Sequence, residues 1–429
     1  MNIIKQGKDF LQSLWALAVR SIWDWRRCPY CDENDTVRWG HYPRRPWFLD
    51  GRREVQIQRH RCNRCQRTYS EESPFLVRGS WYAREVHRFA IDQWCHLGTS
   101  LRRTAEFLRS WMGQQERHRL WRPLFRRPAG RERCYLAAST VHRWLDRAGR
   151  VAQASVHDQL SGVACSGTVG ADGLWARLRG GTKRVVLQLV DNVSGLIWPP
   201  VVVEGEESEE SWRQLFERAQ QAGLALDKLR AVTSDGAKGL LAYLRRNLLW
   251  VGRQRCVWHL WRSLSRDLGR AAAQAVRGAT KEVAQSVREQ VRDELGALLH
   301  ALIDAPSYPI AEQALAALRE HPQGARLWRL LNERFDQVLM HLVDDYAGLQ
   351  RVSPEWCWRD FRLRLSHGRN QGSEPRLERA ALLWAIYHNF TPTQWRSERK
   401  RHYRHPGQSP LQVAGSSPGE VNYLDALRV

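Results

Sequence analysis

Two aspartates stand where a carboxylate could do chemistry. Between Leu229 and Leu264, Ala231, Val232 and Thr233 read as the end of a short buried strand, and Ala237–Asn247 carries apolar residues at helical spacing. Asp235 therefore sits at a strand-to-helix handover, where open α/β sheets hold their ligands. A turn or N-cap aspartate is the alternative reading of the same Asp-Gly. Upstream, Thr168–Leu178 reads as a strand with Asp172 near its middle in an otherwise apolar run. A charge in such a run is costly unless paired or bound to metal. Two aspartates on neighbouring strands could hold Mg²⁺ or Mn²⁺ through hard oxygen ligands. A pair of such ions, about 3.5–4 Å apart, serves phosphoryl transfer.

A second constellation is made of thiols. Cys28 and Cys31 in CPYC, and Cys62 and Cys65 in CNRC, supply four sulfur ligands at the spacing of paired knuckles, which suits structural Zn²⁺. Thirty residues separate the pairs, more than the commonest spacer of about 15–20, so a long hairpin is expected between them. Arg44, Arg45, Arg52, Arg53, Arg59, Arg61, Arg64 and Arg67 decorate this module. They are expected on phosphates or on a solvated surface.

The elements that must position these groups occupy 429 residues, enough for two or three domains. A formal net charge of +22 points to a polyanionic partner, nucleic acid first. Residues 101–150 concentrate the field, with 13 Arg against 4 acidic residues. No apolar run is long enough to span a bilayer. Phe10, Leu14, Leu17 and Trp25 fall on one face of an amphipathic helix expected over residues 1–27, and no cleavage site of a signal peptide follows them. Nine cysteines, four of them in C-x-x-C pairs, suggest reduced thiols and a cytoplasmic location.

Helical patterns follow the cysteine module. Ser100 precedes one periodic helix, and Ser139 or Thr140 starts another that ends near Gly149. With His142, Arg143 and Arg147 on the exposed side, the two suggest a helix-turn-helix-like DNA-binding region over 80–150, although Met112–Tyr135 is long for a turn. Further on, DNVSG joins two strands, making Asp191 a turn residue. The acidic run EGEESEE reads as a solvated charge cluster at a helix N-terminus, not as a site. A last short strand is expected near Arg255–Val257.

The order of strands and helices resembles an RNase H-like mixed sheet. The motifs ADG at Asp172 and SDG at Asp235, followed by Cys256-Val257-Trp258-His259 as C-x-x-H, resemble DDE transposases of the Mutator-like superfamily. The resemblance covers roughly residues 163–400. It implies an α/β catalytic core with an all-helical insertion over Asp267–Val352, preceded by a zinc ribbon. It also implies a third metal ligand, a glutamate on a helix beyond the insertion.

Glu355 is the first acidic residue in that place, with Asp360, Glu374 and Glu378 as further candidates and a first-turn surface glutamate as the alternative. His259 is expected to position scissile DNA or to cap its helix, and Cys256 to be core. A basic tail, Arg396, Arg399, Lys400, Arg401 and Arg404, is expected along DNA phosphates or in solvent. The expected organisation is a zinc ribbon at 28–75, the helical DNA-binding region at 80–150, the first part of the core at 163–266, the insertion at 267–350, and the final catalytic helix with its tail at 351–429.

The resemblance implies a DNA transposase that binds element ends and performs metal-dependent cleavage and strand transfer as a homodimer or higher assembly on DNA at the bacterial nucleoid. A transposase-derived DNA-binding regulator with an inert nuclease-like domain, or an RNase H-like nuclease, remain the alternatives.

Overall fold

In a computed structural model of the chain, the described residues are 27–114, 136–278, 280–346, 348–368, 372–392, 405, 407–416 and 421–427. The expected N-terminal helix with Phe10, Leu14, Leu17 and Trp25, the basic run from Arg396 to Arg404, and most of Met112–Tyr135 lie outside them. Two compact units divide the chain, one up to Arg147 and one from Ala148 to Arg428.

In the first unit, strands β1 (Thr36–Arg44) and β4 (Val55–Cys62) form a long antiparallel hairpin, and β5 (Thr68–Ser70) pairs with β4. The register slips between Arg38 and His41, where Gly40 takes a positive φ of 79° and the strand bulges. A small β2–β3 hairpin, Trp47–Phe48 with Gly51–Arg52, closes the tip. The long spacer between the cysteine pairs is thus two strands and their tip. Helices α1 (Arg84–Leu97) and α2 (Leu101–Trp111) follow, joined by Gly98-Thr99-Ser100. Gly98 ends α1 in the left-handed conformation, and the Ser100 side chain accepts the Arg103 amide to start α2. Phe48, Ile57, Leu76, Tyr82, Val86, Leu108 and Trp144 share one core with these helices.

Helix α3 (Ala138–Leu160) does not end near Gly149 as its sequence suggests. A Cβ on residue 149 would stand 2.7 Å from Cβ of Arg379, so this glycine marks a close helix approach within the second unit, not a C-cap.

The second unit is built on a mixed five-stranded sheet in the order β10-β9-β6-β7-β8. Strands β6 (Thr168–Arg177), β7 (Lys183–Asp191) and β8 (Val201–Glu204) make an antiparallel meander. Strands β9 (Ala231–Ser234) and β10 (Gly252–Arg255) add in parallel on the other side of β6. The last strand is therefore Gly252–Arg255 and not Arg255–Val257, because Val257 already opens a helix with Cys256 as its N-cap. Helix α4 (Glu209–Gln221) connects β8 to β9, and α5 (Lys238–Asn247) connects β9 to β10.

After β10 the chain is helical through α6 (Val257–Ala275), α7 (Lys281–Ile303), α8 (Tyr308–Glu320), α9 (Ala325–Asn332) and α10 (Phe335–Leu339). These helices own a separate apolar core around Leu264, Leu295, Leu302, Leu327 and Leu331, against which Trp328, Phe335 and Leu342 pack. Helices α11 (Glu355–Gly368) and α12 (Glu374–Phe390) bring the chain back to the sheet. The Asn389 amide both donates to the Ile197 carbonyl at 2.9 Å and accepts the Ile197 amide at 2.8 Å. No helix among the described residues is long and apolar enough to cross a membrane.

Candidate active site

The parallel ladder between β6 and β9 ends at the pair Ala171 and Ser234. Asp172 is the next residue, in the middle of β6, and Asp235 the residue that leaves β9, so both carboxylates stand at the same end of the ladder the two strands share. Neighbouring strands lie about 4.8 Å apart, so this ladder holds the two side chains close. Asp172 is 4% exposed, and its buried Oδ2 has no hydrogen-bond partner. Burial, then the negative charges of Glu355 and Asp235, hold its carboxyl well above the usual range. Asp235 Oδ1 accepts the Ala237 amide at 2.9 Å, so the aspartate makes the turn into α5 as well as facing the crevice.

Glu355 is the first residue of α11, on a chain segment clamped to the β9–α6 corner. Thr233 Oγ1 donates to the Gln350 carbonyl at 2.5 Å, and the Val257 amide donates to the Arg351 carbonyl at 2.8 Å. The Ser353 amide and hydroxyl donate to the buried Cys256 Sγ at 3.2 and 3.4 Å. Pro354 rests on Gly170 of β6, where a Cβ would come within 2.8 Å of the proline ring. Three elements thus fix the position from which Glu355 starts its helix.

The C-x-x-H residues complete this clamp. One helical turn separates Cys256 from His259, so the thiol holds Ser353 while His259 Nε2 meets Glu355 Oε1 at 3.3 Å. Burial disfavours a charged His259, but the Cys256 thiol and the Glu355 carboxylate outweigh it and raise the imidazole to about 10. The same hydrogen bond to His259 is the first cause that lowers the Glu355 carboxyl, with the exposed Arg362 and Arg262 adding to it. Burial raises the Cys256 thiol, yet its bonds with His259 and Ser353 bring it down to about 7.

The alternatives to Glu355 are engaged elsewhere. Glu374 pairs with Arg184 at 2.6 Å, and Glu378 with Arg218. Asp360 lies by Arg359, one turn beyond Glu355 on α11. Asp191 accepts the amides of Ser166, Val193 and Ser194 and is the turn residue its sequence suggests.

One residue of the acidic run departs from expectation. Glu209 pairs with Arg246 at 2.9 Å and Glu210 with Arg213 at 2.6 Å, as a solvated helix start requires. Glu207, however, is half-buried and lies over Gly173 of the ADG motif, where a Cβ would stand 2.6 Å from its Oε1. Burial, then the charge of Asp235, pushes its carboxyl up to about 7. The reading of the whole run as solvated is corrected at this position. The signal that could have found it is the glycine after Asp172, which clears space above the strand.

At the other site, Cys28 and Cys65 stand 3.6 Å apart between sulfurs, as do Cys31 and Cys62, and all four ligand atoms lie within 4.8 Å of one another. Tetrahedral zinc with Zn–S bonds of about 2.3 Å needs sulfurs about 3.8 Å apart, so this cluster could bind zinc. No group of three carboxylates among the described residues meets the same criterion, so the acidic cluster is the wider of the two. Around the thiols, Arg45, Arg53 and Arg64 are spent on Glu54, Asp50 and Glu33, and Arg44 on the Ser80 carbonyl. Arg61 instead stacks on the half-exposed Trp39 with its guanidinium 4.5 Å from the ring centre, and Arg67 on Tyr30 at 5.1 Å.

Comparison with curated proteins finds no match to the chain. Residues 200–322, from the start of β8 through Asp235 and the C-x-x-H motif into the helical segment, match the family described as Transposase, Mutator family.

Proposed function

We propose that the protein is a DNA transposase that cuts element ends and joins them to target DNA by metal-dependent phosphoryl transfer. The observation that carries the reading is the convergence of Asp172, Asp235 and Glu355 from two parallel strands and a distant helix. The strand order of the mixed sheet, with three antiparallel strands and two parallel additions, supports an RNase H-like core.

Asp172, Asp235 and Glu355 would hold Mg²⁺ or Mn²⁺. A buried carboxylate oxygen without a partner, beside two further carboxylates, is the donor set a hard cation satisfies. Bound there, the cation supplies Lewis acidity to phosphodiester cleavage and transfer. The chain's own residues hold the geometry: Cys256 and His259 lock the start of α11, and His259 keeps Glu355 ionised. Arg262, stacked on the exposed Trp258, and Arg362 offer positive charge to a DNA strand beside the carboxylates. No protein nucleophile is required, because water and a 3′-hydroxyl serve as attacking groups.

End binding falls to the first unit. The arginines stacked on exposed aromatics of the zinc ribbon and the basic helices suit phosphate contact. The short Gly98–Ser100 connection makes α1 and α2 the better helix-turn-helix pair. The test is incubation of purified protein with DNA carrying the inverted repeats that flank its coding region. Mg²⁺-dependent nicking at the repeat ends is expected. Binding without nicking in Mg²⁺ or Mn²⁺ would favour the inert regulator instead.

A further inference from the structure

Strand β7 carries one amide in an otherwise apolar buried run, Gln188 between Leu187 and Leu189. The antiparallel ladder sets it directly opposite Asp172 of β6. Paired residues of such a ladder rise from the same face of the sheet, with Cβ atoms about 4.5–5.5 Å apart. Helix α11 covers that face, and the wholly buried Cys357 thiol feels both the Gln188 amide and the Asp172 charge. Neither Nε2 nor Oε1 of Gln188 finds a hydrogen-bond partner of normal geometry, and a thiol is a weak one. The facing Asp172 Oδ2 is likewise buried and unpartnered. Two orphaned polar groups therefore confront each other across one rung of the sheet.

For the fold alone, an apolar side chain would serve better at this position, because an unsatisfied buried amide costs stability that a leucine would not. A carboxylate that ligates a cation gives the amide a purpose. Ligating carboxylates are themselves hydrogen-bonded, and those bonds fix which oxygen faces the ion. An amide N–H supplies such a bond without bringing a positive charge that would compete with the cation. Gln188 has no accessible surface, so its route to an ion runs through Asp172, which is 4% exposed. We propose that Gln188 is a positioning residue for Asp172, its Nε2 donating to Oδ2 and orienting the carboxylate toward the divalent cation. This rests on the metal-dependent reading above and extends it to an uncharged residue outside the acidic motifs.

The experiment is titration of the full-length, zinc-loaded protein with Mn²⁺ alone, free ion being read by electron paramagnetic resonance. The wild type, Gln188→Leu, Asp172→Asn and Val186→Ala are compared, with melting temperatures measured before Mn²⁺ is added. Val186 is buried two residues along β7 on the same face and reports the effect of lost packing alone. Gln188→Leu is expected to weaken Mn²⁺ binding about ten- to a hundred-fold. Its melting temperature without Mn²⁺ should be unchanged or higher, because an unsatisfied amide is gone. Val186→Ala should melt lower and bind Mn²⁺ as the wild type. If Gln188→Leu does not fold, Gln188→Met, unbranched and also without the amide, is read by the same two measurements. Unchanged Mn²⁺ affinity in the Gln188 variant, while Asp172→Asn loses binding, overturns the role of Gln188 and leaves the carboxylate site standing. An equal loss of affinity in Val186→Ala makes the effect one of packing and also overturns it. If Asp172→Asn binds Mn²⁺ as the wild type does, the metal site itself falls, and the proposal with it.

Discussion

Asp172 and Asp235 each follow the last paired residue of one parallel ladder, Ala171 on β6 and Ser234 on β9. Because the ladder sets their level, the separation of these carboxylates depends on backbone pairing and little on side-chain packing. Glu355 has no such support and reaches them only through the clamp of Gln350–Pro354.

Gly170 is the place where that clamp meets the sheet. A methyl group there would press on the Pro354 ring, 2.8 Å from its Cδ, and on Asn192 Oδ1 at 3.3 Å. The proline ring is not the free end of a flexible chain. Gly170→Ala is expected to cost about 1–3 kcal/mol in thermal or denaturant unfolding and to reduce DNA cleavage further by displacing Glu355. A variant of full stability and full activity would show that Pro354 does not fix α11.

His259 and Glu355 should act as a pair. A double-mutant cycle with His259→Ala and Glu355→Gln is expected to show coupling of about 0.5–3 kcal/mol in unfolding free energy. Additive effects would mean that the 3.3 Å contact does not hold the helix start. Cys256→Ala, which leaves the Ser353 amide without its buried acceptor, should cost about 1–3 kcal/mol by the same measurement.

Removal of zinc should undo the ribbon. Cys28 and Cys62 are buried, and among the described residues Tyr69 alone joins them in their buried cluster, so little besides a metal would hold the knuckles together. Elemental analysis is expected to find one zinc per chain, and Cys62→Ser to lose it together with DNA binding. Retained binding without zinc would contradict a structural role.

His87 gives the first unit an acid limit. Burial, then the charges of Arg147 and Arg84, lowers its imidazole to about 3, against about 6.5 when unfolded. The ring is neutral in the fold, stacked 3.9 Å from Trp144 and hydrogen-bonded to Ser80 at 2.8 Å. The unfolded chain takes up the proton first, so stability falls as pH drops from about 6.5 toward 3, by about 1.4 kcal/mol per unit. Denaturation of the wild type and of His87→Asn across that window should show the shallower slope in the variant. Equal slopes would mean that His87 is charged in the fold.

Much of the sheet and the thiol cluster was legible in the sequence, because period-two runs, an Asp-Gly handover and cysteine spacing are local signals. Strand β6, strand β9 and helix α5 stand within a residue or two of their expected limits. What escaped depends on residues distant in sequence. Gly149 reads as a helix end until Arg379 is seen against it, and Glu207 reads as solvated until Gly173 and Gly239 are seen to make room for it. Glu355 is singled out in the sequence as the first acidic residue beyond the insertion, and the ion pairs of Glu374 with Arg184 and Glu378 with Arg218 are visible only in the fold.

The central claim is that Asp172 and Asp235 serve chemistry and not the fold or DNA recognition. Single-turnover cleavage of end-containing DNA in Mg²⁺ should be measured for the wild type, Asp172→Asn and Asp235→Asn, with end binding followed by gel shift on the same preparations. The account predicts cleavage reduced by about 10³-fold or more in each variant with end binding intact. Cleavage at the wild-type rate in either variant would contradict it.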